Sequence, residues 1–73
     1  MRLCDIACGE TAKIVSLSDL SDNRRLSELG FLPDGEVRCM FRSPLGDPTA
    51  YLVRGSLIAL RREHSEKILV EVI

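Results

Sequence analysis

Apolar and polar residues alternate along most of this chain, in short runs separated by glycine- and proline-containing turns. The pattern occurs at residues 11–17, 36–42, 49–54, 57–61 and 67–73, and it is typical of strands that face a core on one side. Strands at a spacing of roughly 8–12 residues indicate a compact barrel or sandwich. Closing the sheet would remove exposed edges that favour aggregation, so we expect a small, mainly β barrel of about five strands.

Alternation within residues 36–42 predicts which side chains enter the core. Val37, Cys39 and Phe41 fall on one face, so Cys39 is expected to be a small core residue. Residues 1–6 are predicted to form a brief first strand. Residues 62–66 are too polar and too few for a strand, and a single 3₁₀ turn is expected there.

One short helix interrupts the β pattern. Ser21 is a good N-cap, and Asp22 lies in the first turn, where a negative charge meets the helix dipole. Gly30 supplies the left-handed residue that ends the helix, and Phe31 can then fold back onto Leu26 in a Schellman cap. The expected architecture is therefore a small SH3-like β-barrel with one short helical insertion, and residues 1–73 form a single domain.

Charge and composition exclude several functional classes. Ten Lys and Arg residues face eleven Asp and Glu residues, so the net charge of -1 gives no general electrostatic grip on nucleic acid. No apolar stretch is long enough for a membrane span or a secretory signal. The three cysteines form an odd set, which favours reduced thiols, and we expect a cytoplasmic monomer that does not insert into the membrane.

Four soft metal ligands are present, and they could in principle form a Cys₃His set: Cys4, Cys8, Cys39 and His64. Structural zinc sites usually consist of paired ligand knuckles, whereas here only Cys4 and Cys8 are close in sequence. We expect no resident cofactor. Weak or adventitious binding of Fe²⁺ or Zn²⁺ at Cys4 and Cys8, with His64 as a further candidate, is the alternative.

No arrangement of residues indicates catalysis. His64 has no recognisable nucleophile or acidic partner in a triad pattern, and the acidic residues are scattered beside turns and caps. The turn at residues 46–48 lacks the glycine spacing and the lysine of a phosphate-binding loop. We predict that the protein is not an enzyme.

The helix and the residues after it are the best candidate for partner binding. This segment combines two cations with large apolar groups, a common interface composition. A two-turn helix cannot bury all of its apolar groups in so small a core. The predicted partner-binding residues are Arg24, Arg25, Leu26, Glu28, Leu29 and Phe31. The alternative is that they cap the barrel and the arginines are solvated, and both can hold. A second candidate surface is the proline turn at residues 44–48 with Tyr51.

Three segments in this order resemble the FeoA family of ferrous iron transport proteins. They are residues 25–35 (RLSELGFLPDG), residues 44–48 (PLGDP) and residues 55–61 (GSLIALR), and the resemblance extends from about Leu3 to Val72. Each segment alone is a weak signal, but their order and spacing are specific. The resemblance implies an SH3-like fold in the cytoplasm of a prokaryote.

The resemblance also implies a partner, the membrane ferrous iron transporter FeoB, which carries a GTP-binding domain. In that role the protein regulates or supports Fe²⁺ uptake, and contact is expected near the helix, on the predicted partner-binding residues. Whether it speeds GTP hydrolysis, slows it or only assembles the complex is left open.

Three other functions compete with this one. One is a metal-binding or metal-sensing domain that uses Cys4 and Cys8. Another is a peptide-binding SH3-like module, which the aromatic content of 4% disfavours. The third is the C-terminal domain of an iron-dependent repressor, which is excluded if the chain is complete, because no DNA-binding domain precedes the barrel.

Overall fold

Five antiparallel strands form the framework of the computed structural model, which describes residues 1–17 and 26–73. The strands are β1 (Thr11–Leu17), β2 (Glu36–Arg42), β3 (Thr49–Val53), β4 (Ser56–Leu60) and β5 (Ile68–Val72). A 3₁₀ helix spans Leu3–Asp5, residues 26–29 are helical, and a short helix α1 spans Arg62–Ser65. The mainly β architecture is confirmed. The predicted N-cap at Ser21 and the first turn at Asp22 lie outside the described residues.

The strands are hydrogen-bonded in the order β4-β3-β2-β1-β5, and all the paired neighbours are antiparallel. Their inward faces enclose one hydrophobic cluster, to which every strand contributes. The largest fully buried side chains include Tyr51, Phe31, Leu3, Ile6 and Ile14. Alternation in residues 11–17 puts Ala12 and Ile14 on one face and Lys13 and Val15 on the other. The structure agrees, since Ala12 and Ile14 are fully buried while Lys13 and Val15 are exposed.

An irregularity in β2 overturns one prediction about its faces. Val37 and Cys39 are buried as expected, but Phe41 is 56% exposed. The pairing with β3 shifts register between Cys39 and Phe41, so Met40 is the extra residue of a bulge. Because a bulge inserts one residue, every side chain after it changes face. Phe41 therefore lies on the outer face of the sheet.

The helical residues 26–29 end in the predicted Schellman cap. Gly30 has φ +108°, and its N–H donates to the carbonyl of Ser27 at 3.0 Å. The N–H of Phe31 donates to the carbonyl of Leu26 at 2.9 Å. Both Leu26 and Phe31 belong to the core cluster, which is the apolar contact that accompanies this motif.

The predicted first strand at residues 1–6 is wrong. Leu3–Asp5 is a 3₁₀ helix, and a single bridge from Arg2 to Leu69 is the β pairing of this region. Side chains three apart lie on one face of a 3₁₀ helix. Leu3 and Ile6, both fully buried, therefore reach the core together, which alternation in a strand would not allow.

The predicted 3₁₀ turn at residues 62–66 is an α-helix, α1. The N–H groups of Ser65 and Glu66 donate to carbonyls four residues earlier, those of Arg61 and Arg62, at 3.1 and 2.9 Å. At its start, the Asp47 carboxylate accepts a hydrogen bond from the backbone N–H of Arg62 at 2.9 Å. This cap comes from the turn before β3, so local sequence does not reveal it.

The alternating runs at residues 49–54 and 57–61 predict a hairpin with its turn at Gly55 and Ser56. The structure has the hairpin between β3 and β4, with the turn one residue earlier. Val53 pairs with Ser56, and the two central residues are Arg54 (φ 51°) and Gly55 (φ 80°). Positive φ at both positions is the type I′ geometry that matches strand twist.

Candidate partner-binding surface

The predicted partner-binding segment divides into buried and exposed residues. Leu26 and Phe31 are 3% and 0% exposed, so they pack in the core beneath the surface and are not accessible to a partner. Glu28 is exposed, and Leu29 and Leu32 are more than a third exposed. Arg24 and Arg25 lie outside the described residues. The expectation that some apolar groups of the helix stay at the surface is confirmed, whereas the partner contact itself stays a prediction.

The helix end is in contact with the β3–β4 turn. A Cβ built on Gly30 would lie 3.2 Å from Cδ of Arg54 and 3.7 Å from Cγ2 of Val53. The Arg54 side chain therefore runs across the backbone of the helix cap. This contact joins the helix end, with exposed Leu29, to the turn of the hairpin.

Arg54 also lines an open groove on the outer side of the sheet. The groove has a volume of about 230 Å³, and we call it the Arg54 groove. Its lining includes Thr11, Glu36, Arg38, Leu52, Arg54 and Gly55. No salt bridge joins Arg38 or Arg54 to another residue within 1–17 and 26–73, so both guanidinium groups are available to a ligand there.

The cross-strand register continues this surface over β2, β3 and β4. Arg38 pairs with Leu52, and Leu52 pairs with Leu57, which is 56% exposed. A second row runs from Phe41 through Ala50 to Ala59, and the β2 bulge brings Phe41 into it. Two arginines that form no salt bridge with the described residues lie beside exposed aliphatic and aromatic groups, which is a composition common in protein interfaces.

Sequence reasoning missed Arg38, Arg54 and Leu57 as surface-forming residues. The alternating pattern predicts strands that contain Arg38 and Leu57 and a strand that ends at Arg54, but it does not bring the three residues together. One signal was available for Arg54, because a residue followed by glycine between two alternating runs marks a two-residue turn. Its proximity to Gly30 depends on tertiary packing and had no local signal.

Tyr51 does not belong to the second candidate surface. It is fully buried, and burial raises the pKa of its hydroxyl, partly offset by a hydrogen bond with Ser65. In the neighbouring turn, Leu45 is 94% exposed. The proline turn at residues 44–48 therefore presents a surface without Tyr51.

The three predicted metal-ligand candidates lie in separate environments. The Cys4 thiol donates to the Asp5 carboxylate at 3.7 Å, and burial raises the pKa of Cys4. Cys8 is exposed and lies against Cys39, with the two sulfurs 3.7 Å apart. His64 Nε2 is 3.8 Å from a carboxylate oxygen of Glu63. Among residues 1–17 and 26–73, no group of three or more His, Cys, Asp or Glu side chains could hold a metal ion. Weak metal binding at Cys4, Cys8 or His64 stays a prediction.

Comparison with known proteins decides the family. The model of the FeoA domain matches residues 1–72, nearly the whole chain. This chain belongs to the FeoA family. The resemblance in residues 25–35, 44–48 and 55–61 is thereby confirmed, and with it an association with ferrous iron transport.

A relative in Porphyromonas gingivalis is a fusion of Fe²⁺ transport protein A with the Fe²⁺ transporter FeoB. It is 35% identical to this chain over 74 residues, and the match covers 100% of this chain. The chain corresponds to only 9% of the length of that relative.

Solved FeoA structures share the fold. The FeoA protein from Chlorobium tepidum superposes with a TM-score of 0.92 at 30% identity, covering 100% of this chain and 70% of that one. The zinc complex of Stenotrophomonas maltophilia FeoA superposes with a TM-score of 0.86 at 32% identity, covering 97% of this chain and 89% of that one. That protein is described as a prokaryotic SH3-domain protein, so the SH3-like fold predicted for this FeoA domain is confirmed.

A membrane-spanning helix was not expected from the sequence. Within residues 1–17 and 26–73, no helix has the length and apolar character needed to cross a bilayer.

Proposed function

We propose that this FeoA protein is a non-catalytic adaptor that binds FeoB from the cytoplasm and regulates Fe²⁺ uptake. The observation that carries the proposal is the fusion relative, in which a region 35% identical to the whole of this chain is joined to FeoB in one polypeptide. A covalent link keeps two domains at high local concentration, which is useful when they act on each other.

The Arg54 groove and the adjoining helix end are proposed as the contact surface. Arg38 and Arg54 supply positive charge, while Leu29, Leu52 and Leu57 supply apolar area. A partner segment that carries carboxylates beside apolar side chains would be complementary to this surface. Glu28 is exposed beside Leu29, so its predicted contact belongs to the same surface. The predicted contacts at Arg24 and Arg25 are kept in the proposal from the sequence alone.

The proposed mechanism is a shift of population. A protein that binds one conformation of a GTPase more tightly than another increases the occupancy of that conformation, and its differential affinity sets the size of the effect. If the GTP-binding domain expected in FeoB has different conformations with GDP and with GTP, an adaptor with unequal affinity for them would change the rate of transport.

Calorimetric titration of the protein into the soluble GTP-binding region of FeoB tests the proposal. The experiment is run with GDP and with a non-hydrolysable GTP analogue. The proposal expects saturable binding with a dissociation constant that differs between the two nucleotides. Equal affinity for both would contradict regulation by population shift, and no heat of binding in either state would contradict binding to this region.

A parallel assay of GTP hydrolysis tests whether Arg24 or Arg25 supplies catalytic charge to the GTPase, as an arginine finger does. The variants Arg24→Ala and Arg25→Ala are compared with the unaltered protein. Unchanged stimulation in both variants would remove that role and leave the adaptor proposal in place.

A further inference from the structure

Cys8 and Cys39 are 31 positions apart in sequence, yet their sulfur atoms are 3.7 Å apart. Their proximity was not expected from the sequence, in which Cys4 and Cys8 are the local pair. The thiol of Cys4 instead contacts the carboxylate of Asp5. The structure therefore selects one pair from the three cysteines.

Backbone hydrogen bonds hold this pair together. The N–H of Gly9 donates to the carbonyl of Cys39 at 2.6 Å, and the N–H of Cys39 donates to the carbonyl of Glu10 at 3.0 Å. Gly9 adopts φ +92°, which a residue with a side chain would adopt only with strain. The turn that carries Cys8 is thus fixed against β2, and the short distance between the sulfurs does not depend on side-chain rotamers alone.

The two thiols differ in access and in protonation. Cys8 is exposed at the surface, whereas Cys39 has no exposed area. Burial and the hydrogen bond to Cys8 raise the pKa of Cys39 to about 11, so Cys39 is protonated at neutral pH. Its S–H points to the sulfur of Cys8 as a hydrogen-bond donor. A reagent in solution therefore meets Cys8 first, and Cys39 is placed to react second.

Arg42 completes the site. Its guanidinium donates to the sulfur of Cys8 at 3.7 Å and to the carbonyls of Cys4 and Ile6 at 3.2 and 2.7 Å. The two carbonyls fix the position of the positive charge. That charge lies 3.7 Å from the sulfur of Cys8, and it opposes the approach of a divalent metal ion to the same sulfur.

We propose that Cys8 and Cys39 form a redox-reactive dithiol that a low-molecular-weight disulfide converts to an intramolecular disulfide. In the first step the deprotonated sulfur of Cys8 attacks one sulfur of the reagent, and a mixed disulfide forms on Cys8. The disulfide bond of the reagent breaks, and its other half leaves as a thiolate that takes up a proton. In the second step the sulfur of Cys39 loses its proton and attacks the sulfur of Cys8. The mixed disulfide breaks, and the second thiol leaves with that proton.

The electron balance of these steps closes. The two protein thiols lose two electrons and two protons, and one molecule of reagent disulfide becomes two molecules of thiol. The product ties the turn at residues 7–10 covalently to the centre of β2, where backbone hydrogen bonds already hold it.

Peptide mapping after oxidation tests this inference. The full chain is reduced, freed of reductant, and incubated at low concentration with oxidised glutathione. Remaining thiols are then blocked, and the chain is digested with trypsin. Cleavage after Arg2, Lys13, Arg38 and Arg42 places Cys4 and Cys8 in the peptide 3–13 and Cys39 in the peptide 39–42. The proposal expects these two peptides joined by a disulfide. In a sample taken before the thiols are blocked, the mass of the chain should have fallen by two hydrogen atoms.

Single variants identify the reacting sulfurs. Cys4→Ser is the matched control and should still give the joined peptides. Cys8→Ser should lose them, and Cys39→Ser should stop at the glutathione adduct on Cys8. In urea the joined product should lose its advantage over a Cys4–Cys8 disulfide, because the folded backbone no longer selects the pair.

Three results from the native chain would overturn the inference. One is a disulfide confined to the peptide 3–13, another is an accumulated glutathione adduct with Cys39 still free, and the third is cross-linking between chains only.

Discussion

The side chain of Arg54 lies across Gly30, so the turn between β3 and β4 packs against the end of the helical residues 26–29. A Cβ on Gly30 would lie 3.2 Å from Cδ of Arg54. The same arginine lines the groove on the outer side of the sheet. This contact joins the helix end and the β3–β4 turn into one continuous surface, although Gly30 and Arg54 are 24 positions apart in sequence.

Gly30→Ala is predicted to lower both stability and partner affinity. Position 30 has φ +108°, a conformation that costs a residue with a side chain about 1–3 kcal/mol, and the new methyl group would also displace Arg54. Urea denaturation measures the loss of stability. Gly46→Ala is the matched control, because Gly46 has φ +85° but nothing within 4 Å. A loss no larger than that of Gly46→Ala would contradict the importance of the Arg54 contact.

Removing the charge of either arginine that lines the groove, Arg38 or Arg54, is predicted to weaken binding to FeoB. Arg38→Gln and Arg54→Gln each keep part of the side-chain stem and delete the charge, so the dissociation constant should rise about tenfold. The affinity of the unaltered protein should also fall with added salt. Calorimetric titration measures both effects.

Arg61→Gln is the control for these two variants. Arg61 lies beyond the far end of β4, 3.9 Å from a carboxylate oxygen of Asp47, and is not among the residues that line the groove. Its loss should leave affinity nearly unchanged because Arg61 does not line the groove, and it should cost little stability because an exposed ion pair contributes little. Equal weakening by all three variants would indicate a general charge effect and contradict recognition in the groove.

The two phenylalanines of the chain are predicted to respond differently to truncation. Phe31 is fully buried, so Phe31→Ala should lower the free energy of unfolding by about 3–5 kcal/mol or abolish cooperative unfolding. Phe41 is 56% exposed, so Phe41→Ala should cost about 1 kcal/mol or less. Urea denaturation of both variants tests the β2 bulge. A large loss of unfolding free energy in Phe41→Ala would contradict the bulge and indicate that Phe41 faces the core, as regular alternation predicts.

Stability is predicted to decline at alkaline pH. Burial, with the hydrogen bond to Cys8, raises the pKa of Cys39 from 9.0 to about 11. The unfolded chain loses this proton at lower pH than the folded chain, so the free energy of unfolding falls as pH rises from 9.0 to about 11. Burial raises the pKa of Tyr51 in the same sense and adds to the decline.

Thermal or urea denaturation across this pH range measures the decline, with Cys39→Ala as the comparison. The variant should lose less stability between pH 9.0 and about 11, because only the contribution of Tyr51 then remains from this pair. Identical pH dependence in the two proteins would contradict the role of Cys39.

Local patterns predicted the elements whose causes are local. The alternation in residues 11–17 placed Ala12 and Ile14 in the core, and Gly30 marked the end of a helix with its Schellman cap. In both cases the deciding residues are neighbours in the sequence. The spacing of the strands and the short helix already predicted an SH3-like barrel, and the family resemblance implies the same arrangement.

The errors arose where distant residues decide the outcome. Phe41 lies on the outer face, not the predicted inner one, because β2 pairs with β3 through a bulge. The N-terminus of α1 is capped by the carboxylate of Asp47, which accepts a hydrogen bond from the N–H of Arg62. The candidate surface has the same character. The sequence identified Leu29 and its neighbours, whereas Arg54 joins that surface only through its contact with Gly30.

An amide-shift titration of the isotope-labelled protein with the soluble GTP-binding region of FeoB tests the central claim most directly. The account predicts saturable shifts at Leu29, Arg38, Arg54 and Leu57, together with the sequence-predicted contacts Arg24, Arg25 and Glu28. The proline turn at residues 44–48 should stay unperturbed and serves as an internal control. Shifts confined to that turn, or none at high partner excess, would contradict contact between this surface and the GTP-binding region of FeoB.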